Sequence, residues 1–240
     1  MKNKIAKLCS ELRIGTTIPD NYSDIECDSN EEFLYKLLNM AVTTKGINRQ
    51  NRLLKQADFD MIKTFENYDF REIEIPQTID IEQLKTGEFI KKRENLILYG
   101  NVGTGKSHLC TAIGVNACYN GKKVKFYKTV NLVTDLIKAK KEGELQKFIK
   151  DIASLDLLIC DEWCYIPLDD EGAQLLFQII SLCYENISVI ITTNIEFSKW
   201  NTMFFNEKLT SGIIDRLIHH SHLLIFNGES YRLKNSLLRM

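Results

Sequence analysis

The stretch GNVGTGKSH, residues 100–108, follows the apolar run NLILY and opens a helical pattern. It fits the spacing G-x-x-x-x-G-K-[ST] of a loop that holds phosphates. Gly100, Gly103 and Gly105 let the backbone turn so that several N–H groups face inward at phosphate oxygens. The helix that follows adds the positive end of its dipole. Lys106 brings a compact charge to the β- and γ-phosphates, and Ser107 offers a hydroxyl to Mg²⁺. Asn101, Val102, Thr104 and His108 complete the candidate nucleotide-binding segment, so ATP and Mg²⁺ are the expected ligands. A chance match in a glycine-containing turn is the bland alternative. The strand before the loop and the helix after it argue against that reading.

On either side of the loop the chain changes character near Lys91. After it, short apolar strands alternate with helices: NLILY, then a helix over 106–120, then KVKFYK, then a helical stretch over 130–150 that breaks near Gly143. LDLLICD, a helix over 169–185, ISVIITTN, a helix over 208–220 and HLLIF follow. This alternation predicts an α/β fold with a parallel sheet flanked by helices. Before Lys91 the patterns are polar and helical. Apolar positions recur at helical spacing in NKIAKLCSEL and across 30–57, where Gly46 is a candidate interruption. GTTIPDNYSD reads as a turn that ends the first helix, and ADFDMIKTFENYDFREIEIP as a linker packing aromatic rings on the next domain. The expected division is a small helical N-terminal region, 1–75, and an ATPase domain, 76–240.

Composition narrows the function classes. A formal net charge of -1 excludes a polycation, so any nucleic-acid contact must come from local clusters. No apolar run approaches the ~20 residues of a membrane span. The start, MKNKIAKLCSELRI, lacks the apolar core and cleavage site of a secretory signal, and a cytoplasmic protein is expected. Seven cysteines at scattered spacings form no disulfide or zinc framework. His219, His220 and His222 lack a partner pair at metal-ligand spacing and read as structural.

Three further stretches carry chemistry. LLICDEW ends an apolar strand in Asp161 and Glu162. The first suits a Mg²⁺ ligand through water, the second a group that polarises attacking water, and the pair favours hydrolysis over phosphoryl transfer to a small molecule. SVIITTN ends in Thr192, Thr193 and Asn194, where an amide can contact the γ-phosphate; an Asn that merely turns the chain is the plainer reading. In SGIIDRLIHH, Arg216 lies among apolar neighbours. It is either a local ion pair of Asp215 or a solvated residue, or else an arginine finger that completes a neighbouring subunit's site. Two lysine-rich faces, Lys45/Arg49/Arg52/Lys55 and Lys138/Lys140/Lys141/Lys147/Lys150, are either solvated helix surfaces or phosphate contacts.

In this order the pieces resemble the AAA+ ATPases, and more closely the IstB-like ATP-binding helpers of IS21-type transposons. The resemblance runs through NRLLKQADF, KTFENYDF, the loop, LDLLICDEWCYIPLDDEGAQLLFQIIS, VIITTN, FSKW, IIDRLIHHSHLL and GESYRLK. It implies a P-loop AAA+ core similar to the helicase loaders of the DnaC type. It also implies ATP-dependent homo-oligomers on double-stranded DNA that act with the transposase of the same element. By position it assigns residues 100–107 to the Walker A loop and Asp161 and Glu162 to Walker B. Asn194 falls at sensor 1, Arg216 at the arginine finger and Arg232, in GESYR, at a second sensor. The chain departs from the family pattern at Asn101-Val102, Cys164 and Thr193, where a proline-containing loop, a glycine and a serine are usual. A helicase loader on single-stranded DNA, a small-molecule kinase and a non-hydrolysing ATP switch are the competing functions.

Overall fold

A computed structural model describes residues 1–66, 68–204 and 206–234; for residue 203 only the backbone is described. The chain divides into two compact units, Met1–Arg52 and Leu53–Met240.

The first unit is helical. α1 spans Lys2–Glu11 and α2 spans Thr17–Asn21. The stretch expected as a turn therefore contains a short helix, and Pro19 fits it because the first turn of a helix needs no N–H from that residue. Cys9, Ile18 and Ala41 form a small core, with Ile5, Ile14 and Leu37 packed on it. α3 runs from Asn30 to Ala57 and crosses the unit boundary. Gly46 does not interrupt it. One glycine costs a helix only about 1 kcal/mol, too little to end one of this length.

The second unit is built on a six-stranded sheet. Its elements are β1 Ile73–Glu74, α4 Ile81–Thr86, α5 Glu88–Lys92, β2 Asn95–Gly100, α6 Lys106–Tyr119, β3 Val124–Lys128, α7 Thr129–Lys141 and α8 Leu145–Ala153. β4 Leu157–Asp161, α9 Asp170–Cys183, β5 Ser188–Thr193, α10 Asn201–Phe204, α11 Glu207–Ile218, β6 Ser221–Phe226 and α12 Tyr231–Lys234 complete it. Strand order is β1-β6-β2-β5-β4-β3, parallel except for the β1–β6 pair. The segment read as a linker, 57–76, supplies β1, and α4 begins after it. α4 starts at a capping box in which Asp80 and Gln83 satisfy each other's backbone N–H groups.

The period-2 geometry of the strands sorts side chains onto two faces. Ile97, Leu158, Cys160, Val189 and Ile191 join the core under α7, α9 and α11. Their neighbours Leu96, Leu98, Leu157, Ile159 and Ile190 join the opposite core with α6. Phe59, Phe65, Tyr68 and Phe70 pack on that second core, as the aromatic content of the segment suggested. β4 and β5 are buried on every residue, which is why they read as unbroken apolar runs.

This order decides where chemistry can occur. β5 stands between the strand that leads into the phosphate loop and the strand that ends in Asp161. All three run parallel, so the loop, the acidic pair and TTN emerge at one edge of the sheet.

At the other edge, buried Asn95 joins three elements: Oδ1 accepts from the Val189 N–H at 2.8 Å and Nδ2 donates to the Leu217 carbonyl at 3.3 Å. Asn95→Ala strands a buried donor and should cost about 1–3 kcal/mol of stability. Urea unfolding should show a lower midpoint at unchanged slope; an unaltered midpoint would mean that the amide is dispensable.

Candidate active site

The phosphate loop is shaped by close approach. Gly100 has φ +149°, and a Cβ there would meet the Phe226 backbone at the end of β6. Gly103 has φ +82°, and a Cβ there would strike the Ser230 hydroxyl. The Tyr231 N–H also donates to the Gly103 carbonyl at 2.9 Å. GESYR is thereby laid along the loop, and Arg232, exposed in α12, is close enough to act on the charge of Lys106.

Lys106 is buried at the start of α6. Its ammonium donates to the Gly100 carbonyl at 2.7 Å and the Asn101 carbonyl at 2.6 Å, folded back onto its own loop. Burial pulls its pKa down to about 8; Asp161 opposes the shift and Arg232 adds to it. The next residue, Ser107, donates to Asp161 Oδ1 at 3.0 Å. Thr104 turns inward to the Asn101 carbonyl, while Asn101 and Val102 are exposed.

Asp161 is 4% exposed and has no ion-pair partner within 4 Å among the described residues. The Thr192 hydroxyl donates to the same Oδ1, and that hydroxyl also accepts the Glu162 N–H at 3.1 Å. The Trp163 N–H donates to the Thr192 carbonyl at 2.8 Å, and Thr129 donates to the Asp161 carbonyl at 2.9 Å. A buried carboxylate beside a hydroxyl, with no cation, is a hard oxygen donor set that fits Mg²⁺.

Glu162 has the opposite environment. It is exposed, with φ +57°, so the two adjacent carboxylates do face different ways. Cys164 also has φ +61°. This gives the family's usual glycine a physical reason, since a left-handed residue with a Cβ costs roughly 1–2 kcal/mol.

The other expected site residues divide. Asn194 is exposed just beyond β5, at the same edge as the loop. The neighbouring Thr193 shapes that turn by accepting the Ile195 N–H at 3.0 Å. His108 faces the preceding segment: its Nε2 is 2.9 Å from the Thr64 carbonyl, and its ring lies 4.9 Å from that of Tyr68. Arg216 engages α11 and α9, donating to the Gly212 carbonyl at 2.8 Å and lying 4.9 Å over the Phe177 ring. It makes no ion pair with Asp215 among the described residues, and it is half-buried.

Two residues of the site were not singled out in the sequence. Thr192 was visible only as part of a polar strand end. Tyr68, whose hydroxyl donates to the Gly105 carbonyl at 3.2 Å, comes from the segment read as a linker. Burial raises the Tyr68 pKa and keeps that proton in place.

A depressed lysine pKa means that the charged form is less stable in the folded chain than in the unfolded one. The cost is fully present below pH 8 and is relieved as pH rises towards 10.5. Without nucleotide, Lys106→Met should therefore be the more stable protein at pH 7, on the order of 1 kcal/mol after solvent screening. The gap should shrink at pH 9.5. Thermal unfolding of both proteins at both pH values tests this; a gap independent of pH would remove the buried charge as its source.

Comparison with known proteins follows the same lines. The family model for IstB-like ATP-binding proteins matches residues 21–239. The insertion sequence IS21 protein of Pseudomonas aeruginosa, assigned as ATP-binding, is 37% identical over 97% of this chain and 89% of its own length. The corresponding IS5376 protein of Geobacillus stearothermophilus is 32% identical over 100% and 97%. Among solved structures, the DnaC helicase loader superposes with a TM-score of 0.50 at 24% identity, covering 62% of this chain and 92% of that one. The replication initiator DnaA bound to AMPPCP and single-stranded DNA gives 0.54 at 21% identity, covering 71% and 52%. These two establish the AAA+ fold, while the sequence match reaches further: the chain belongs to the IstB-like ATP-binding proteins, ATPases built on the AAA+ phosphate-loop fold.

Proposed function

We propose that the chain hydrolyses ATP at sites shared between subunits assembled on double-stranded DNA, and so assists the transposase of its insertion sequence in choosing a target. The observation that carries the chemistry is the Ser107–Asp161–Thr192 group at the mouth of the phosphate loop, in which Asp161 and Thr192 are buried. Lys106 leaves the Gly100 and Asn101 carbonyls to meet the β- and γ-phosphates. Residues 100–107 cradle the phosphates through their backbone. Ser107 and Asp161 hold Mg²⁺, which neutralises charge on the phosphates when bound. Glu162 polarises the attacking water and Asn194 orients it. Arg232, beside Lys106, adds a second positive charge at the loop.

Arg216 is the residue that makes the site a shared one. Its own chain holds it against Phe177, and an arginine finger acts on a neighbour's phosphates. The N-terminal region, expected over 1–75, supplies subunit, transposase or DNA contacts. The exposed lysines of α7 and α8 are the candidate DNA face, acting on phosphates without reading sequence. Lys140 and Lys147 are engaged by Glu171 at 2.7 Å and Glu144 at 3.3 Å. That leaves Lys138, Lys141 and Lys150 as the stronger candidates. The insertion-sequence relatives favour a transposase partner over a helicase.

Particle mass in solution with ATP and Mg²⁺ should rise on double-stranded DNA, and rise less on single strands. Assembly confined to single strands would favour a helicase loader instead. Glu162→Gln should bind ATP normally and lose at least 100-fold in turnover; unimpaired turnover would remove Glu162 from the mechanism. Arg216→Ala should retain ATP binding and lose turnover only in the assembled state. Replacing Lys138 and Lys141 together with Ala should flatten the salt dependence of DNA binding by up to about two charges, and an unchanged slope would place DNA elsewhere.

A further inference from the structure

The sequence offers His219 and His220 as structural residues, but the fold supplies the partner that their spacing lacked. α9 ends at Cys183, and Tyr184 and Glu185 follow it. α11 ends at Ile218, and His219 and His220 follow that. One potential ligand atom each from Glu185, His219 and His220 lies within 4.8 Å of the other two. His220 Nε2 is 3.7 Å from Glu185 Oε1, and the two imidazole centroids are 4.1 Å apart. We propose that Glu185, His219 and His220 form a surface site for a divalent transition ion of the zinc type, on the side of the sheet remote from the nucleotide.

Two imidazoles and a carboxylate suit Zn²⁺, with a fourth position left to water. In a tetrahedral zinc site neighbouring ligand atoms are about 3.3–3.5 Å apart. The Glu185–His220 pair is already near that spacing, and exposed side chains can close the remainder by small rotations. His219 Nδ1 is 2.9 Å from the Tyr184 hydroxyl. With Nδ1–H donating there, Nε2 keeps its lone pair for the metal, and the Tyr184 hydroxyl takes the place of the outer hydrogen-bond acceptor that orients a metal-bound histidine. The backbone on both sides is fixed. The Asn95 N–H donates to the His220 carbonyl at 2.7 Å, and the Arg93 guanidinium donates to the Glu185 carbonyl at 2.9 Å.

The location follows from topology. His220 immediately precedes β6, Glu185 precedes β5 by three residues, and Asn95 begins β2. These are the starts of parallel strands whose far ends carry the phosphate loop and TTN. The ion would tie the end of α9 to the end of α11, the helix that bears Arg216. The site is independent of the proposed reaction.

Equilibrium dialysis of the full chain against Zn²⁺, without nucleotide, tests the assignment. One ion per chain should be retained at micromolar free Zn²⁺. His219→Asn with His220→Asn should weaken binding at least 100-fold, and Tyr184→Phe by about tenfold. All of these positions are exposed or at helix ends, and circular dichroism checks that the variants remain folded. Cys27→Ser, which removes the exposed thiol, should bind as the wild type does. Retention of the ion by the double histidine variant, loss of it in Cys27→Ser, or no binding to the wild type below 100 µM would each overturn the site.

Discussion

The rest of the site depends on one buried carboxylate. Asp161 closes β4 away from water and receives the Ser107 hydroxyl from α6 and the Thr192 hydroxyl from β5. An isolated charge in such a place would be expensive, and hydroxyl donors reduce the cost without cancelling it. The Lys106 ammonium, desolvated and folded onto loop carbonyls, is the complementary strain on the other side of the same space. In the proposed function an anionic ligand with its cation would relieve both at once, the phosphates taking the lysine and Mg²⁺ the aspartate. The energetics of the loop, as well as its shape, therefore suit an anion.

Thr192 gives this arrangement its rigidity. One hydroxyl meets both the Asp161 carboxylate and the Glu162 N–H, while its carbonyl takes the Trp163 N–H. The backbone is thereby held left-handed at Glu162, which turns that side chain out while Asp161 stays in. Two neighbouring acids with two solvent environments follow from this turn. Trp163 anchors it, fully buried with its ring 5.8 Å from that of Trp200.

Much of this was legible in the sequence because it follows from periodicity and local rules. Unbroken apolar runs gave β2, β4 and β5, and glycine spacing before a helix gave the loop. What escaped depends on tertiary contact. β1 is two residues long and exists only because β6 lies beside it. GTTIPDNYSD read as a turn, yet it holds a short helix with Pro19 in its first turn, where proline is tolerated. Thr192 looked like any strand residue, since its task is defined by the strand beside it. Glu185 and the two histidines are more than thirty residues apart and meet through the packing of α9 on α11. Cys164 ran the other way: its departure from glycine was visible, and the reason for glycine appeared only with φ.

The Thr192 hydroxyl is the contact that holds the acidic strand end in place beside the loop. Thr192→Val keeps the shape and removes that hydroxyl, and ATP turnover by this variant is measured alongside ATP affinity with and without Mg²⁺. If the hydroxyl has this role, affinity without Mg²⁺ should be nearly normal, the gain on adding Mg²⁺ smaller, and turnover reduced at least tenfold. Full turnover with the full Mg²⁺ effect would contradict it.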